Sequence, residues 1–136
     1  MLELSDSAQT TAGAVVLAAI TVTTGGYFLT RVVRGAVPTT DFQRAFYRAG
    51  HAHAGVLITL GLVCLLLTEA TGLTGLAGWL ARTGVLVSAI LMPAGFFLSA
   101  LGRRRTQPNG FIVLLWVGAA FLIIGLGVLG VGLLME

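Results

Sequence analysis

The stretch FYRAGHAHAGVLITLGLVCLLL, residues 46–67, is long enough to cross a lipid bilayer as a helix and carries one charge, Arg48, near its start. It also holds both histidines of the chain, His51 and His53. At a rise of about 1.5 Å per residue these lie roughly 7–11 Å along the helix from Phe46, inside the hydrocarbon. An imidazole there needs a partner, because a buried polar group left unsatisfied costs about 1–3 kcal/mol. The candidates are a neighbouring side chain, a metal or a haem.

The rest of the chain agrees with a lipid setting. Of its 136 residues 57% are hydrophobic and 10% charged, with a mean hydropathy of +0.98, against about 25% charged in soluble domains. Four apolar segments, at about residues 8–30, 42–68, 80–102 and 110–135, leave no room for a soluble domain. The expected fold is all-α: a single domain over residues 1–136, a bundle of four transmembrane helices with short loops.

The net charge of +3 and pI of 10.0 do not point to nucleic acid, because the basic residues are all arginines at the ends of apolar segments. Arg31, Arg34, Arg44, Arg48 and Arg103 to Arg105 fall on one side of the expected membrane, and only Arg82 falls on the other, with Glu3, Asp6, Glu69 and Glu136. This asymmetry predicts a multi-pass protein of the cytoplasmic (inner) membrane with both termini outside. No basic residue precedes Arg31, so the first segment is expected to remain as a helix rather than be cleaved as a signal peptide. The lone cysteine, Cys64, excludes an intrachain disulfide and reads as inert packing.

Local signals mark the breaks. Pro38-Thr39-Thr40-Asp41 ends the first connection, with Thr40 or Asp41 as N-cap of the second helix. Residues 69–79, punctuated by Gly72, Gly75 and Gly78, read as a turn with Trp79 as an interface anchor. Pro93 predicts a bend that makes room beside it, and Gln107-Pro108-Asn109-Gly110 predicts the turn into the last helix. Gly25-Gly26 forms a notch for a neighbouring helix or a flat ligand, and Gly118, Gly125 and Gly132 form a stripe for close packing against a helix of this or another chain.

On a regular helix His51 and His53 point about 200° apart and cannot both ligate one metal. His53 shares its face with Phe46, Ala49, Gly50, Val56, Leu57 and Leu60, a small and apolar lining suited to a flat macrocycle. His51 shares its face with Tyr47, Arg48, Ala54, Gly55 and Ile58, and is a candidate partner for a threonine, a haem propionate or a neighbouring subunit. The residues therefore point to haem held by His53 as metal ligand, with Arg44, Arg48, Arg34 or Arg103 within reach of its propionates. No carboxylate lies within an apolar segment, which argues against a proton-coupled drug exporter. Glu69, at the outer end of the second helix, reads as too near water for a buried proton carrier, and Met92 as a gap-filler rather than a ligand.

Arg48-Ala49-Gly50-His51-Ala52-His53-Ala54-Gly55, Gly95-Phe96-Phe97 and Gln107-Pro108-Asn109-Gly110 together resemble the small four-helix membrane proteins typified by styrene oxide isomerase, whose second helix carries an Arg-Ala-His-Ser-Gly run. The resemblance implies haem b (iron) bound by His53 near the contact between subunits of a homotrimer. It also implies ferric iron acting as a Lewis acid on the epoxide oxygen of a small apolar substrate that rearranges to an aldehyde. At the family's pocket positions this chain has Thr59 for asparagine, Phe97 for tyrosine and Ala89 for aspartate, so haem binding is the better supported part. Two other readings compete: a non-enzymatic membrane scaffold, and an electron-transfer cytochrome b with a second histidine on the iron.

Overall fold

A computed structural model describes residues 3–136 and contains four helices: α1 (Asp6–Val33), α2 (Asp41–Thr68), α3 (Gly75–Ser99) and α4 (Ile112–Met135). Each is long and apolar enough to span a membrane. The chain is thus an all-α multi-pass membrane protein. Successive helices run antiparallel as their short connections require, with α3 packed between α2 and α4 and with α1 lying along α2.

Glycine sets how closely α3 and α4 approach. A Cβ on Gly84 would stand 2.9 Å from Cα of Gly125, and one on Gly95 would meet the backbone of Leu115. The stripe on α4 is used within the chain: Gly118 seats Met92, Gly125 lies against Gly84, and Gly132 seats Leu73. Leu57, Cys64, Ala81, Val85, Met92 and Leu129 fill the core beside these contacts. Between lipid tails and a helix surface there is little hydrophobic drive, so such close packing is what holds the helices together.

At the arginine-rich end the free backbone groups of two helices are satisfied by polar side chains. The Thr40 hydroxyl accepts from Gln43 N while the Gln43 amide accepts from Thr40 N, a capping box that starts α2. The same Gln43 donates to the carbonyls of Ala100 at 3.0 Å and Gly102 at 2.7 Å, past the end of α3. Asn109 donates to Leu98 O and accepts from Phe111 N. A helix end carries four unpaired carbonyls, and these contacts replace water at α3's.

The helix bounds differ from expectation by up to three residues at the ends of α1 and α3 and the start of α4, and by more at the start of α3. α3 begins at Gly75, not near Leu80, so the α2–α3 connection is residues 69–74 and Trp79 lies within the helix, 47% exposed beside Phe121. Thr74 is extended and its carbonyl accepts from Gly78 N. Gly78 is buried because Leu73 folds over it, not because the chain turns there.

Candidate functional site

The capping box fixes where α2 starts, and its register then places the two histidines on opposite flanks of the helix. His51 faces α1. A Cβ on Gly25 would stand 3.2 Å from its Nδ1, and one on Gly26 would stand 3.5 Å from Cε1. The diglycine notch is therefore filled by an imidazole. Among the described residues nothing donates to or accepts from that ring.

His53 faces the α3 side. Its Nδ1 lies 2.8 Å from the carbonyl oxygen of Ala49. A ring nitrogen facing a carbonyl carries the proton, so in the neutral ring the lone pair is on Nε2, the arrangement by which proteins orient a metal-binding imidazole. Phe96 covers one edge of the ring at 4.9 Å between centroids, and Phe46 packs edge-on against Phe96 at 5.4 Å. Of the small and apolar residues expected around His53, Gly50 lies under Phe96 and Phe97, and Leu57 is 4% exposed in the core. Val56 and Leu60 instead line a groove on the His51 side of α2, which His53 does not border.

Of the arginines, Arg44 pairs with Asp41 and donates to Thr39 O. Arg105 folds onto the carbonyls of Leu101 and Gln107. Arg48 has neither kind of partner among the described residues, and it lines a groove of about 510 Å³ with Leu29, Thr30, Val33 and Arg34.

Of the three positions that the resemblance singles out, Thr59 and Phe97 are engaged within the chain and Ala89 lines a cavity between α1, α2 and α3. Thr59 donates to Gly55 O at 3.0 Å and borders an open groove of about 660 Å³ that His51, Ala52 and Val56 also line. Phe97 stacks on Tyr47 at 5.6 Å, with Phe28 edge-on to both. Read along the sequence, Tyr47 has no site role of its own, yet its ring lies against Phe97 and its hydroxyl donates to Ala100 O at 3.4 Å. The one signal for it is Gly50, three residues on, which opens a notch on that face for a ring from α3.

Pro93 does make room. A cavity of about 430 Å³ lies between α1, α2 and α3, bounded by Val15, Ala54, Leu86, Ala89, Ile90 and Pro93. Proline has no N–H for the carbonyl one turn back, so Ala89 O is the polar group this wall can offer. The hydroxyls at the rim, Thr11, Thr21 and Thr83, all donate to their own helix backbone. The cavity suits a small apolar molecule with at most one donor.

At the opposite end Glu69 is 8% exposed, accepting from Ser5 N at 2.8 Å and from Arg82 Nη2 at 2.7 Å. It is better covered than its place at a helix end suggests. The Ser5 backbone N–H first, then the Ser5 hydroxyl and Arg82, hold its carboxyl below the usual carboxylate range. Gly72 N donates to Glu136 at 2.6 Å, so both termini lie at this end. Cys64 and Met92 are core residues, 2% and 8% exposed.

No protein family, curated protein or solved structure matches the chain.

Proposed function

We propose that this chain is an inner-membrane protein that binds haem b through Nε2 of His53, assembles as a homotrimer as the resemblance implies, and takes a small apolar substrate. The observation that carries the reading is the Ala49 carbonyl on Nδ1 of His53, which orients the ring and, in its neutral form, places the lone pair on Nε2. Among the described residues there is no cluster of three or more ligating side chains, so iron in a macrocycle suits a single imidazole better than a protein-caged ion.

His51 sits on the other flank of α2 against Gly25 and Gly26 and is no second ligand within one protomer. That favours an open position on the iron over a two-histidine cytochrome. The glycine stripe of α4 is filled from within the chain, by α3 at Gly118 and Gly125 and by Leu73 of the α2–α3 connection at Gly132, which leaves a scaffold reading no free stripe. When bound, ferric haem with one protein ligand supplies a Lewis acid able to polarise an epoxide oxygen. The chain's own contribution is to hold the imidazole's tautomer, to keep water out with apolar walls, and to shelter a substrate beside Pro93.

The test is an absorption spectrum of the detergent-purified protein from haem-replete cells. A Soret band that disappears in His53→Ala is expected; a colourless wild-type preparation overturns the reading.

A further inference from the structure

Arg31, Arg34, Arg48, Arg103 and Arg104 have no carboxylate or carbonyl partner for their side chains among the described residues. Of these, Arg34 and Arg48 share a groove with apolar walls, whereas Arg103 and Arg104 line a polar one. Arg44 and Arg82 have carboxylate partners, and Arg105 is folded onto carbonyls. The side chains of Arg34 and Arg48 have neither among the described residues, and both line the groove whose floor is Leu29 and Val33. Thr30, the other polar group there, donates to Tyr27 O at 2.6 Å. The groove thus presents two uncompensated guanidiniums above apolar surface, at the end of the helices where the arginines collect.

Further along the same α1–α2 seam is a mostly apolar groove of about 660 Å³ that starts at His51 and is lined by Val22, Val56, Leu60 and Val63, with Thr59 at its edge. From Arg48 to Val63 the helix rises about 22 Å, more than the roughly 15 Å of hydrocarbon in one leaflet. A head site for an anion and a channel one leaflet deep describe an amphiphile. Basic pockets between membrane helices on the cytoplasmic side take anionic lipid head groups.

We propose that the α1–α2 seam binds one anionic phospholipid, its phosphate between Arg34 and Arg48 and an acyl chain along Val22, Val56 and Val63. This goes beyond haem binding and does not depend on it.

Native mass spectrometry of the detergent-purified chain, with dioleoyl phosphatidylglycerol or dioleoyl phosphatidylcholine added, tests it. The wild type should retain phosphatidylglycerol in preference. The double variant Arg34→Gln/Arg48→Gln should lose about thirty-fold in that retention, Arg34→Lys/Arg48→Lys should keep most of it, and Arg103→Gln/Arg104→Gln should leave it unchanged. Equal retention of the two lipids by the wild type overturns the proposal, as does an equal loss in the Arg103/Arg104 variant or no loss in the Arg34/Arg48 variant. Displacement of phosphatidylglycerol by added haem also overturns it, since the guanidiniums would then serve propionates.

Discussion

Nδ1 of His53 stands 2.8 Å from the carbonyl oxygen of Ala49, one turn back on α2, while His51 makes no hydrogen bond among the described residues and rests on the glycines of α1. The two imidazoles are therefore unequal. His53→Ala should abolish the Soret band of the purified protein, and His51→Ala should leave it, with ferric spectra of the high-spin type that one axial imidazole produces. Sharp low-spin bands in the wild type that broaden in His51→Ala would reverse this assignment.

Glu69 ties the start of α1 to the α2–α3 body through Ser5 and Arg82. Its carboxyl titrates below the ordinary carboxylate value, so the charged form is the one the folded state favours. The stability it contributes is fully present above the ordinary carboxylate pKa and is lost as pH falls through the depressed one. The charged group paired with it is Arg82. A disulfide placed by Ala8→Cys and Leu65→Cys, residues of one buried cluster, reports the docking of α1. At neutral pH the wild type should cross-link efficiently, and amide exchange in the first turns of α1, corrected for its intrinsic pH dependence, should be unchanged down to the carboxylate range and rise below it. Glu69→Gln should weaken docking by about 2 kcal/mol at neutral pH, the worth of a charge-assisted hydrogen bond. Retention of efficient cross-linking in Glu69→Gln would show that α1 is held elsewhere.

Much of this architecture is legible from residue order alone, and the exceptions share a cause. Four apolar runs broken by Pro38, by the residue 69–74 connection and by Pro108 specify four helices, because lipid forces each run to satisfy its own backbone. Thr40 ahead of Gln43 declares the start of α2 in the same local way. Glycine is ambiguous: Gly75 and Gly78 carry the same letter as a turn glycine, yet α3 starts at one and the other makes room for Leu73. The seat of His51 on Gly25 and Gly26, and the stacking of Tyr47 on Phe97, depend on how helices cross, and a pattern read along one helix does not contain the crossing angle. The tautomer of His53, by contrast, follows from a contact within α2 and was within reach of helix geometry.

Gln43 is 4% exposed and makes four hydrogen-bond contacts, two with its own N-cap and two with the carbonyls after α3. Gln43→Leu leaves Gly102 O without a side-chain donor and Ala100 O with only the Tyr47 hydroxyl at 3.4 Å. The cost should be about 2–3 kcal/mol, read as a lower unfolding midpoint in mixed micelles. Thr40→Ala removes the side-chain cap but leaves the Gln43 contacts to Ala100 and Gly102, so it should cost about 1 kcal/mol. If the two variants are equally destabilised, the inter-helix half of the Gln43 network contributes nothing.

Gly84 and Gly127 separate packing from backbone preference. A Cβ on Gly84 would meet Gly125 Cα at 2.9 Å and Phe121 O at 3.2 Å, both backbone atoms of α4, so neither can turn aside as a flexible side chain would. Around Gly127 there is nothing within 4 Å. Gly84→Ala should push α3 and α4 apart and destabilise the bundle by about 1–3 kcal/mol. Gly127→Ala gains helix propensity with no clash and should be neutral or stabilising by up to about 1 kcal/mol. Because the α3–α4 contact is the one these glycines create, the loss in Gly84→Ala should appear as faster amide exchange in α4 as well as in α3. Exchange confined to α1 would mean that the closest helix pair of this fold is not the one holding it together.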